Sequence, residues 1–156
     1  MTAQGMLKQA VRSVLVPYFE TSGFNLKDFV GDRASFKRRD CPLGNLVRPD
    51  GEGGFHMLDF QFGAQGSPRF TVNFAKIPPE GLEGLSPVAC DSEMAPIRCR
   101  VYRGRNPMNW FCLPWYRRKT DANYQEYVES LTPYMQEVLN FFDNGREGPN
   151  LYCYRP

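Results

Sequence analysis

Acid–base chemistry in this chain would have to begin at His56, because the 156 residues contain no other histidine. One imidazole excludes every paired-histidine metal site and the HExxH helix of the zinc proteases. His56 lies in Phe55-His56-Met57-Leu58-Asp59-Phe60, where the alternation reads as a strand, and no neighbouring residue marks it as a general base. Nucleophilic or metal chemistry could instead use cysteine. Cys41, Cys90, Cys99, Cys112 and Cys153 lie far apart, however, and none forms a C-x-x-C pair. Zinc ribbons and dithiol redox sites need such close pairs. Five dispersed cysteines therefore predict free, buried thiols in a reducing cytoplasm. Phosphate chemistry is no better signalled. The glycines at 51, 53 and 54 share their segment with Asp50 and Glu52, which would repel a phosphate, and they read as turn residues. The residue types thus point to no reaction, no metal and no cofactor.

Charge is distributed more tellingly. Between residues 98 and 119 stand Arg98, Arg100, Arg103, Arg105, Arg117, Arg118 and Lys119, with no acid and with Tyr102, Trp110, Phe111, Trp115 and Tyr116 interleaved. Guanidinium groups pair with phosphates and aromatic rings stack on bases, so this segment has the composition of a single-stranded nucleic-acid site, with Arg98, Arg100, Trp110 and Trp115 as its natural contacts. A net charge of only +2 is low for a nucleic-acid binder. The preceding segment, residues 78 to 96, has the opposite sign. It carries Glu80, Glu83, Asp91 and Glu93, no basic residue and four prolines. A loop of this length is usually functional or disordered. With Glu126 and Glu129 of the terminal helical region, these carboxylates form the candidate surface for a basic protein partner.

The elements that position these groups follow from hydrophobic spacing. Met6, Leu7, Ala10, Val11, Val14, Leu15, Tyr18 and Phe19 recur at three- and four-residue steps and predict a helix over 3 to 22, kinked near Pro17 and stopped by Gly23. Strands are predicted at 34 to 39, 55 to 62, 69 to 77, 97 to 102 and 110 to 115. Leu58, Phe60 and Phe62, then Phe70, Val72 and Phe74, would form one dry face, leaving Asp59, Gln61 and Asn73 on the other. Asn123 with Glu126 resembles a capping box, and Thr132-Pro133 resembles a second helix start that Gly145 ends. The expected fold is α+β: a mainly antiparallel sheet of four to five strands, with N-terminal and C-terminal helices on one face. Residues 1 to 145 make one domain and 146 to 156 a tail. The longest apolar run, Val14 to Phe19, is too short to span a bilayer, and no secretory leader is evident.

This order of signals is similar to the bacterial domain-of-unknown-function family numbered 4304. Leu15-Val16-Pro17-Tyr18-Phe19 with Gly23-Phe24 resembles that family's opening motif. Phe36, Phe60-Gln61, the literal Phe70-Thr71-Val72-Asn73, Trp110-Phe111 and Pro133 fall in the family's order. The chain departs from the pattern at Phe74-Ala75-Lys76, where Leu-Gly would stand, and in its long acidic loop. The family contributes no catalytic residue. Its members resemble small proteins encoded beside bacterial toxins, so the resemblance implies a non-enzymatic, cytoplasmic immunity protein that occludes a toxin. A small-ligand pocket lined by Asp59, Gln61 and Asn73, and a nucleic-acid module over 98 to 119, are the alternatives.

Overall fold

Alternating apolar residues on two long neighbouring strands set the frame of the computed structural model, which describes residues 1 to 155. Strands β3 (Phe55–Phe62) and β4 (Arg69–Ile77) pair antiparallel over eight register positions, from Phe55↔Ile77 to Phe62↔Phe70. Around them lie β1 (Asn25–Lys27), β2 (Asn45–Pro49), β5 (Arg98–Val101), β6 (Phe111–Cys112) and β7 (Leu151–Tyr154). The sheet order is β1-β2-β3-β4-β5-β7, and β6 also pairs with β4, beside β5 on the same edge. Every pairing is antiparallel. The α+β class and the antiparallel sheet are as the sequence predicts, with seven strands rather than four or five.

Helix α1 (Ala3–Glu20) runs unbroken through Pro17 and ends where Gly23, at φ +90°, turns the chain so that Phe24 folds back on Phe19. Helices α3 (Asp121–Glu129) and α4 (Thr132–Asn144) follow β6. The cap of α3 is Thr120, whose hydroxyl accepts from the Asn123 amide, so Asn123 is not the cap; Gly145 stops α4 in the left-handed region. These three helices bury Leu7, Val11, Leu15, Phe19, Val128, Met135 and Phe142 against Leu58, Phe60, Phe70, Val72 and Phe74 in one apolar cluster. The predicted core face is the observed one.

Three expectations are corrected. Residues 34 to 39 form no strand but helix α2 (Ala34–Asp40), which buries Ala34 and Lys37. It packs on the sheet face opposite the other helices, so the sheet is covered on both sides, and Asp59, Thr71 and Asn73 are buried rather than solvated. The tail is part of the sheet, because β7 pairs with β5 from Arg98↔Tyr154 to Val101↔Leu151. That register places Cys99 opposite Cys153, with Cα atoms 4.1 Å apart, and the two form a disulfide. The remaining thiols are Cys41, Cys90 and Cys112, so the cysteines are not all free, and the argument from free thiols to a reducing compartment no longer stands. No helix among the described residues is long and apolar enough to cross a membrane.

Candidate functional site

Strand register places the chemistry-bearing residues of the second sheet face in a row. Asp59 on β3 opposes Asn73 on β4, and Asn73 opposes Arg100 on β5. Helix α2 lowers Lys37 and the following Cys41 onto this row, and the 3-10 turn Ser92–Met94 brings Ser92 and Glu93. Asp59, fully buried, is the hub. Its Oδ1 accepts from Asn73 Nδ2 at 2.8 Å and from the Cys41 thiol at 3.2 Å; its Oδ2 accepts from the Ser92 hydroxyl at 3.0 Å and lies 3.3 Å from Lys37 Nζ. Lys37 also lies 3.4 Å from Glu93 and over the Phe29 ring. Arg100 reaches Gln61 at 3.2 Å and Glu93 at 3.6 Å, and Arg33 reaches Asp91 at 2.7 Å and Glu93 at 3.3 Å.

Buried charge is costly unless it is paired and hydrogen-bonded, and pairing decides the protonation states here. Burial pushes Lys37 toward neutrality, but the negative charges of Asp59, Glu93 and Asp91 outweigh it and hold the amine above its ordinary range. Burial and the Asp59 carboxylate push the Cys41 thiol well up, which keeps it protonated. Lys37 is therefore a fixed cation rather than a base, and Cys41 a hydrogen-bond donor rather than a nucleophile. Sequence reasoning missed Lys37, Cys41, Ser92 and Arg33. The available signal was the spacing of Ala34, Lys37 and Cys41, which is helical and not alternating.

A second candidate lies at the far end of β4, in the segment after β5. Trp115 is 94% exposed and Tyr116 72%, Met108 is also bare, and the two rings meet edge to face. Arg103, Arg105, Arg118 and Lys119 in the same segment make no ion pair among the described residues, whereas Arg117 is held by Glu126 and Asn123. β6 anchors the segment at Arg69↔Cys112 and Phe70↔Phe111.

The residues expected from sequence fall in different places. Glu80 and Glu83 are exposed, and the loop around them is ordered by a Leu82↔Leu85 bridge. At Gly81, φ +74°, a Cβ would overlap the Leu85 carbonyl. Asp91 is only 3% exposed and Glu93 is half-buried, and both are spent on Arg33, Lys37 and Arg100, so they are not a free acidic surface. Glu126 is exposed but paired with Arg117, and Glu129 accepts from Gln125. The basic set is divided as well. Arg98 pairs in register with Ala75 and Cys112 with Arg69, six residues apart on β4, or about 20 Å. Arg98 and Arg100 thus stand on the polar sheet face, while Trp115 belongs to the distal segment and Trp110 is half-buried under Arg69. No protein-family model, curated protein or solved structure matches the chain.

Proposed function

We propose that the chain is a non-enzymatic interaction protein that binds an acidic surface of a protein partner through the segment from Arg103 to Lys119. The observation that carries this reading is the bare Trp115–Tyr116 pair, followed along the chain by Arg118 and Lys119, which make no ion pair among the described residues. Tryptophan, tyrosine and arginine are the residues that dominate binding energy when a partner desolvates them, and a single domain has no folding reason to leave a whole indole in water. The surplus positive charge selects a partner of opposite sign and speeds the encounter. An immunity role, which the resemblance to the 4304 family suggests, is the specific form of this reading, and the toxin surface would then be acidic. The locked protonation states of Lys37 and Cys41 favour a structural rather than catalytic use of the buried network.

Single-stranded nucleic acid would use the same cations. The edge-to-face pair, at 86°, offers no two parallel faces for successive bases, which favours the protein partner. A photo-crosslinking residue at position 115 should yield an adduct with one acidic protein in the native host, and the same residue at Arg12 or Glu80 should yield none. Trp115→Ala with Lys119→Glu should abolish the adduct seen from position 118 while leaving the melting temperature nearly unchanged. Adducts from 80 and 83 alone would move the interface to the acidic loop. Micromolar binding of labelled oligonucleotides at roughly 0.15 M salt, lost on Trp115→Ala, would replace the protein partner by nucleic acid.

A further inference from the structure

The polar sheet face is not closed everywhere. Beside the Asp59 network a cavity of about 340 Å³ is lined by Asn73, Ser92, Glu93, Arg98, Arg100 and Tyr154. That volume is at the small end of ligand sites. Other hollows on the surface are larger, including one at Gln4, Lys8 and residues 62 to 66, but this one has a buried polar group among its lining residues that folding leaves unsatisfied. Asn73 is 2% exposed. Its amide nitrogen donates to Asp59 and Gln61, and its Oδ1 has no donor. Buried acceptors without donors are rare in folded chains and call for an explanation.

We propose that this cavity binds a small organic oxyanion that also carries a hydroxyl group, with its anionic end on Arg98 and Arg100 and its hydroxyl donating to Asn73 Oδ1. Charge supports the first half. Arg33, Lys37, Arg98 and Arg100 face Asp59, Asp91 and Glu93, one cation in excess, and Arg98 is the cation with no carboxylate among the described residues. Its one hydrogen bond goes to the Glu93 carbonyl at 2.9 Å, and its guanidinium lies 5.6 Å from the centre of the Tyr154 ring, its register partner. The guanidinium is thus held in place with donors to spare. Arg98 and Arg100 are alternate residues of β5, so both project from the same face, about 7 Å apart along the strand. Guanidinium groups so placed suit a carboxylate or a phosphate. Acceptors support the second half. Asn73 Oδ1 has no donor, and the Ser92 hydroxyl donates its hydrogen bond to Asp59, leaving the lone pairs of its oxygen as acceptors. An ammonium group would satisfy the same acceptors but would add to the positive excess, which favours a hydroxyl.

Hydroxycarboxylates and sugar phosphates share this chemistry. Calorimetric titration of the intact protein with L-malate against succinate, and with D-ribose 5-phosphate against inorganic phosphate, separates the two sources. At least one hydroxylated anion is expected to bind with a Kd below about 1 mM and at least tenfold more tightly than its counterpart lacking the hydroxyl. Arg98→Gln, on an exposed side chain, should weaken that binding tenfold or more, and Arg12→Gln, exposed on α1, should leave it unchanged. The proposal is overturned if neither hydroxylated anion binds below 10 mM, if each counterpart binds equally well, or if Arg98→Gln has no effect. None of these outcomes depends on the Trp115 surface.

Discussion

At the residue scale, His56 shows how a lone titratable group is fixed by its partners. The Arg48 Nε–H donates to His56 Nδ1 at 3.0 Å, which requires a lone pair there, and the imidazole stacks on Phe142 with centroids 4.4 Å apart. Burial, then Arg48 and Lys76, outweigh Asp50 and Asp143 and lower its pKa from 6.5 to about 4. The unfolded chain takes this proton near pH 6.5 and the folded chain only near 4, so the unfolded state binds more protons between those values. Stability from this group is complete above pH 6.5 and is lost as the pH falls toward 4, by about 2–3 kcal/mol at pH 4.5. Urea unfolding at pH 7 and 4.5 should show a smaller difference in His56→Gln than in wild type. An equal difference would mean that the carboxylates alone carry the acid sensitivity. The sequence made His56 legible as a strand residue without a catalytic partner, but Arg48 was invisible because β2 is buried over most of its length and shows no alternation.

At the element scale, β7 is the clearest case of structure that local pattern does not reveal. Four residues after a glycine-bounded helix become a strand only because β5 offers a free edge, and that is a long-range fact. The disulfide then joins Cys99 to Cys153 across 54 residues of chain. Closing a loop of that length restricts the unfolded ensemble by about 4 kcal/mol in the entropic account, and typical measured effects are about 2–4. Reductant should therefore lower the urea midpoint of the wild type and leave Cys99→Ser/Cys153→Ser, already destabilised, unmoved. Thiol titration of the unfolded, unreduced protein should find three thiols; five would remove the staple. Helix α2 was misread for a different reason. Its buried face carries Lys37 and its exposed face Phe36, which inverts the hydrophobic pattern from which helices are read. The helices α1, α3 and α4 were legible because their apolar spacing and their burial agree, and β3 and β4 because their alternation marks the face on the helical core, although their polar face is buried too.

At the scale of the whole molecule, one sheet carries two unlike covers. The helical side is an aromatic and aliphatic core, in which Phe74 meets Phe141 and Phe142 edge to face. On the other side, the segment from Pro78 to Pro96 rests on a small apolar cluster around Met57, Ala75 and Cys90, α2 packs Ala34 with Phe29 and Cys41, and both close on the charge network at Asp59. Apolar contact tolerates the loss of one partner better than a buried charge network does, because removing one ion leaves others unpaired. Lys37→Met keeps an unbranched side chain, one atom shorter, and removes its charge, which sets Asp59 and Glu93 near one another with no cation between them. The cover should then open as a unit while the helical core stays closed, since local opening free energies differ across a fold. Amide hydrogen exchange at pH 7 should rise at least tenfold over residues 34 to 41 and 79 to 96 in Lys37→Met, with the amides of β3, β4 and α4 close to their wild-type rates. The Trp115 segment, anchored by β6 at the opposite end of β4, should exchange as before. A uniform rise over all elements would show instead that the two covers unfold together, and that the network at Asp59 supports the entire fold rather than one of its faces.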